Sequence, residues 1–287
     1  GLDGQSGNAR PFVAAPYPEQ EERLAALARD TERLEREISE RERNAPAPAA
    51  VAPELARRWD EALAPGLRRH APLDRLPDGA RTVGKPAFGP EEIGGGATLD
   101  GGAAVEWDDP GFPSEGGAFS YGAWVWLEST DANQTVLSRM DAPDGVRGWD
   151  LFVAAGGRPM AHLIHRWPDD ALRIDGAETI PARRWVHLFV TSDGSGKAEG
   201  VRLFVDGRRV ETTTGASGLR GPIGTSRPVR VGGRWPGTDL KGKVAGVRLY
   251  DGALAPETIR LMADTDPLRP ALRGDATAAP KAAIVRH

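Results

Sequence analysis

The stretch WVHLFVTSDGSGKAEGVRLFVDGRRV, from Trp185 to Val210, decides how the rest of the chain is read. Two apolar runs, Trp185 to Val190 and Val201 to Val205, flank a Gly/Ser/Asp/Lys connection, and Asp206-Gly207 supplies a second turn directly afterwards. The pattern predicts consecutive antiparallel strands. In the first run Val186, Leu188 and Val190 point one way while Trp185, His187 and Phe189 point the other. Neither face is polar, so both need cover, and the hairpin is expected to be interior scaffold in a layered β structure.

Around this hairpin β signals run from about Arg81 to Tyr250. Ala97 to Val105, Ala118 to Leu127, Thr135 to Arg139, Trp149 to Ala154, Met160 to Trp167, Leu172 to Ile174, Val229 to Gly232 and Val244 to Tyr250 read as short strands separated by Gly, Pro and Asp turns. About ten to twelve strands without long interleaved helices predict a mainly β fold, an antiparallel sandwich or jelly roll. One short helix is expected at Ala255 to Asp264, with Pro256 and Glu257 in its first turn.

The N-terminal side has a different pattern. Residues 1–18 read as an irregular lead-in, and residues 19–65 as a helical arm or hairpin. Leu24, Leu27, Thr31, Leu34 and Ile38 repeat at alternating three- and four-residue spacing, a coiled-coil-like seam of about two heptads that is too short to dimerise alone. The run 45–53 is a proline/alanine connector, and Leu55, Trp59 and Leu63 make one stripe of a second helix, expected to pack on the first. The β domain is assigned to residues 80–265 and a tail to 266–287.

Composition removes several function classes. The chain has 287 residues and a formal net charge of −4, with basic and acidic residues interleaved, so neither a nucleic-acid surface nor a polybasic membrane patch is indicated. The absence of cysteine excludes disulfides, thiolate metal sites and c-type haem attachment within this stretch. No apolar run approaches membrane-spanning length, and the start at Gly1 reads as an excised fragment or processed product.

Seven segments together resemble the laminin-G-like, concanavalin A-like lectin/glucanase domain. They are Leu99-Asp100-Gly101, Phe119-Ser120 running to Ala123-Trp124-Val125, Trp185-Val186-His187-Leu188, Leu203 to Gly207, Val231-Gly232-Gly233, Leu240 to Lys243 running to Val247-Arg248-Leu249-Tyr250, and Ala253 to Glu257. Ala245 and Gly246 stand where the family often has acidic residues. The lead-in, the arm and residues 148–174 more narrowly resemble the interior of planctomycete multidomain cytochrome-c-type proteins. That resemblance implies a middle portion of a secreted or periplasmic protein, without the haem module and with flanking domains as partners.

The segment Gly148 to Asp170 is densest in groups that suit sugar recognition, where aromatic rings stack on C–H faces and polar groups bond hydroxyls. The expected platforms are Trp149, Trp167 and Trp235, with Asp150, His165, Arg166 and Arg234 as polar contacts; Arg234 and Trp235 sit apart in the loop GGRWPGTD and suggest a second platform. His162 and His165 fall on opposite faces of their strand, which disfavours a shared zinc site. Trp124 and Trp126 are expected in the sandwich core. No cofactor is expected; calcium is the metal to test, with Asp169 and Asp170 as its ligands, although adjacent aspartates are also common in solvated turns. Glu106-Trp107-Asp108 begins the retaining-glucanase pattern, but Gly111 occupies its next acidic position, so no catalytic residue is assigned. The reading is a non-catalytic module that binds a polysaccharide or other glycan, with two alternatives: an interaction module that positions neighbouring redox or catalytic domains, or a divergent polysaccharide-active enzyme.

Overall fold

A computed structural model describes residues 17–44, 48–109, 111–113, 116–234 and 237–272. The chain divides into two units, Gly1–Val51 and Ala52–His287. In the first lies α1 (Pro18–Asn44), whose seam residues Leu24, Leu27, Leu34 and Ile38 are all exposed. The next helix, α2 (Pro48–Leu63), begins inside the stretch expected to be a connector and carries Pro53 within it; alanines on both sides of the proline favour the helix.

The second unit is a β-sandwich. In chain order its strands are β1 (Leu67–Ala71), β2 (Ala80–Val83), β3 (Ala87–Gly89), β4 (Gly96–Asp100), β5 (Ala104–Trp107), β6 (Phe119–Leu127), β7 (Gln134–Asp141) and β8 (Arg147–Ala154). They continue as β9 (Arg158–Arg166), β10 (Asp170–Gly176), β11 (Trp185–Ser192), β12 (Val201–Val205), β13 (Arg208–Arg209), β14 (Thr212–Ser217), β15 (Val229–Val231) and β16 (Lys241–Asp251), followed by helix α3 (Pro256–Thr265). One eight-stranded sheet has the order β13-β12-β11-β6-β16-β4-β3, with β1 also paired to β16. The other, also eight-stranded, runs β14-β10-β9-β8-β7-β15-β5-β2. All pairings are antiparallel.

The opening hairpin is the middle of the first sheet. Strand β11 pairs with β12, Leu188 opposite Val205 and Ser192 opposite Val201, and with β6 along its whole length. Val186, Leu188 and Val190 enter the core between the sheets, together with Tyr121, Val125, Trp149 and Leu151. The predicted turn at Asp206-Gly207 has φ of 49° and 75°, the positive pair that a tight hairpin turn needs. A Cβ on Gly207 would come within 2.9 Å of Arg260 and Ala263, so α3 also requires glycine there.

The opposite face of the first sheet is covered as well. Phe189, Phe204 and Tyr250 pack with Leu63 of α2 and with Ile259 and Met262 of α3, and the Tyr250 hydroxyl donates to the Leu63 carbonyl at 3.0 Å. Trp124 lies on this covered face beside Trp185 and Ala245, and Trp126 packs against that group, rather than in the inter-sheet core where both were expected. The inward positions of β6 belong to Tyr121, Ala123, Val125 and Leu127, which fixes the parity of the tryptophans. Behind α3, Arg248 donates to both oxygens of Asp266 at 2.6 and 2.7 Å, and the Trp124 indole donates to Asp266 at 3.1 Å.

Candidate functional site: the outer face of the second sheet

Within the second unit, helices α2 and α3 pack on the outer face of the first sheet, and the outer face of the second sheet carries a row of polar residues. Its register can be followed as one row. Arg81 stands opposite Glu106, Glu106 opposite Arg230, Arg230 opposite Ser138, Ser138 opposite Asp150, Asp150 opposite His162, and His162 opposite Arg173. Because side chains alternate, the neighbours of this row on β8, Trp149 and Leu151, all enter the core. The outer row is therefore polar throughout, with ion pairs Arg81–Glu106 and Arg230–Glu106 at 3.1 Å each.

At the centre is Asp150, whose side chain is fully buried. Its Oδ1 accepts from the His162 Nδ1 at 2.7 Å and the His162 amide at 3.2 Å, while Oδ2 accepts from Arg234 at 2.9 Å. A buried carboxylate is tolerated when it is paired and bonded in this way. Arg234 arrives from the loop after β15 and its guanidinium lies 4.9 Å from the Phe152 ring centroid. Phe152 and His162 meet edge to face at 5.8 Å, and Trp167 approaches His162 at 5.9 Å on the next side.

These groups border a groove of about 400 Å³ on this face. Phe152 and Met160 line its apolar part; Asn133, Arg158, His162, Arg173, Asp175 and Arg234 supply polar walls. Arg173 binds Asp175 through two bonds of 2.7 and 2.6 Å, and Asn133 accepts from the Ala155 amide at 2.9 Å. Glu32, Glu35, Arg36, Ser39 and Glu40 border a larger space, about 610 Å³, and all five of these described residues lie on the charged flank of α1.

The residues singled out from sequence divide. Asp150, Arg234 and Trp167 come together here, so Arg234 belongs to the same site as Asp150 rather than to a separate platform. Trp149 is fully buried between the sheets, edge to face with Phe112 at 5.8 Å, and cannot present a stacking surface. His165 lies on the other side of its strand from His162, 2.8 Å from the Pro222 carbonyl, with the loop at Gly221 against its ring. Arg166 is exposed beside Gly145. Trp235 falls outside the described residues.

Asp170 accepts from the Arg220 and Gly221 amides at 2.6 and 3.2 Å, which holds its carboxyl below the usual range and pins the loop. Asp169 is exposed. Among the described residues no group of three or more His, Asp or Glu side chains is gathered as a metal site.

Sequence reasoning passed over Phe152, Arg158, Met160, Arg173 and Asp175. A signal was present: Ala155-Gly156-Gly157 as a three-residue turn pairs Ala154 with Arg158, and counting back from that pair sets Asp150 opposite His162.

The chain belongs to the concanavalin A-like lectin/glucanases superfamily, whose family model matches residues 99–260. No curated protein sequence matches it. Among solved structures it is similar to the binding domain of Paraclostridial mosquitocidal protein 1, with TM-score 0.56 and 13% identity over 71% of this chain and 53% of that one. It is also similar to a botulinum neurotoxin type C structure whose cell entry depends on two ganglioside molecules, with TM-score 0.51 and 10% identity over 70% of this chain and 51% of that one. The chain thus spans about half the length of these toxin chains. Domain 4 of AbnA, an extracellular arabinanase of Geobacillus stearothermophilus solved with arabinotriose, is matched over 98% of its length and 69% of this chain, with 20% identity and TM-score 0.48.

No helix among the described residues is long and apolar enough to cross a membrane.

Proposed function

We propose that this is a non-catalytic glycan-binding module of a larger secreted or periplasmic protein, and that the groove on the outer face of the second sheet is its site. The observation that carries the reading is the groove itself. An apolar floor, Phe152 and Met160, each 5% exposed, sits among fixed polar groups, and the half-exposed Trp167 ring stands against His162 at its edge. The polar groups are held in place before any ligand arrives, since Asp150 bonds both His162 and Arg234. Among the described residues the carboxylates at the groove are both engaged: Asp150 is buried and bonded to Arg234, and Asp175 is bonded twice by Arg173, whereas glycoside hydrolysis uses a free pair. The test is a glycan array probed with the full chain and its Trp167→Ala variant. Binding to a sugar that drops about tenfold in the variant supports the reading, and no sugar bound, or no change in the variant, overturns it.

A second reading, an arm that docks a flanking domain, rests on α1. Leu24, Leu27, Leu34 and Ile38 are exposed along one seam, bordered by Glu21, Asp30, Glu35 and Glu37. Two copies in parallel would set Asp30 against Glu35, so the seam suits a different helix with basic borders. Replacing Leu27 and Leu34 by Glu should abolish co-purification with flanking domains while changing the sandwich's stability by less than about 0.5 kcal/mol. Unchanged co-purification would remove this reading.

A further inference from the structure

Resting on the reading of this groove as a glycan site, we infer that its ligand is an acidic saccharide, a sugar chain bearing carboxylate or sulfate groups. The argument is an account of donors and acceptors. The groove is lined by three guanidinium groups, Arg158, Arg173 and Arg234, and by one carboxylate, Asp175, with Asp150 buried behind His162 and Arg234. Asp150 is fully buried and accepts three bonds from His162 and Arg234. Asp175, nearly buried, accepts the two-pronged bond from Arg173. The oxygen of Asn133 is committed to the Ala155 amide. The His162 Nε2 is therefore the remaining side-chain acceptor on the wall, since the carboxylates and the Asn133 oxygen are engaged inside the protein.

The donors are not. Asn133 keeps its amide nitrogen, and Arg173 and Arg234 each keep guanidinium nitrogens with no partner among the described residues. Arg158 is exposed on the groove wall and forms no ion pair or side-chain hydrogen bond with any described residue. A neutral sugar hydroxyl both donates and accepts, so a wall in which unpartnered donors outnumber free acceptors suits it less well than it suits an anion. Carboxylate and sulfate oxygens only accept, and a planar guanidinium binds them through two parallel bonds.

The excess of cation is local. The chain as a whole has net charge −4, so attraction to acidic polymers needs a local source, and the three arginines of this groove supply one. The expected mode sets the acidic group of the sugar toward Arg158 and the free guanidinium nitrogens of Arg173 and Arg234, over the apolar floor of Phe152 and Met160.

The experiment titrates the full chain with four polymers: polygalacturonate for carboxylate, dextran sulfate for sulfate, and neutral galactan and dextran. At least one acidic polymer should bind about tenfold or more tightly than its neutral counterpart, with affinity falling steeply between about 0.05 and 0.5 M NaCl. Arg158→Ala should lower that affinity about tenfold, with Arg158→Lys recovering part of it, while circular dichroism stays unchanged. Which acidic polymer binds distinguishes carboxylate from sulfate. Neutral polymers bound as well as acidic ones would overturn the inference and leave glycan binding standing. No polymer bound would overturn both. Linear polyphosphate bound equally well and insensitive to Trp167→Ala would also overturn it, because charge alone would then explain binding.

Discussion

On the outer face of the first sheet, β6, β11 and β16 present Trp124, Trp185, His187, Phe189, Arg248 and Tyr250; on that of the second, β8 and β9 present Asp150, Phe152, Met160 and His162. Both rows follow the same two-residue alternation outward from one core. The first row is too apolar to face water and is closed by α2, α3 and the buried Arg248–Asp266 pair. In the second, polar residues satisfy one another sideways and leave a groove. A sandwich of this kind can thus close one outer face for stability and leave a polar groove on the other.

The comparison breaks most sharply at Asp266. Burial alone would raise its pKa, but the charge and bonds of Arg248 outweigh that and hold it far below the usual carboxylate range. Asp266→Ala would leave Arg248, which is 2% exposed, and the Trp124 indole without their partner. The expected loss is about 3–5 kcal/mol in urea unfolding. A loss below about 1 kcal/mol would show that the cover is not fastened there.

Much of the first face was legible and its fastening was not. The two apolar faces of Trp185 to Val190 already demanded cover on both sides. Nothing local tied Arg248 to Asp266, because a pair joining a strand to the segment after a helix depends on where that helix lies. Strand β1, LRRHA, escaped notice because its two arginines and histidine mask a short edge strand, and β14, TTTGAS, has largely exposed residues without alternation. On the second face the residue types near the site were legible, yet Trp149 was set outside and the pairing of His162 with Asp150 was not seen. One register, fixed by the Ala155-Gly156-Gly157 turn, decides both positions.

His187 sharpens the contrast through pH. Its ring stacks on Phe189 at 5.5 Å, lies 5.1 Å from Trp124, and neither ring nitrogen has a partner among the described residues. Burial pushes its pKa down from 6.5 to about 4. The unfolded chain takes up this proton below about pH 6.5 and the folded chain only near 4, so the stability difference is complete above the first value and declines as pH falls toward the second. The decline should reach about 3 kcal/mol. Urea unfolding at pH 7 and pH 4.5 should show His187→Phe losing less stability on acidification than the parent; equal losses would remove this account.

The smallest effect belongs to the open face. Trp167 is 39% exposed, so Trp167→Ala should change unfolding stability by only about 0.5 kcal/mol while weakening glycan binding. A loss of several kcal/mol would make this face a structural one like the other.

Strand β16 has a further consequence. Along one edge it pairs with β6, and along the other first with β4 and then with β1, so the last strand is the seam on which the earliest parts of the sheet meet the middle. Until Lys241–Asp251 has left the ribosome, β4 and β6 have no strand between them. The block from β6 to β13 can pair earlier, but the first sheet is completed only after nearly all of the domain is synthesised, and joining β4 and β1 to it depends on long-range closure.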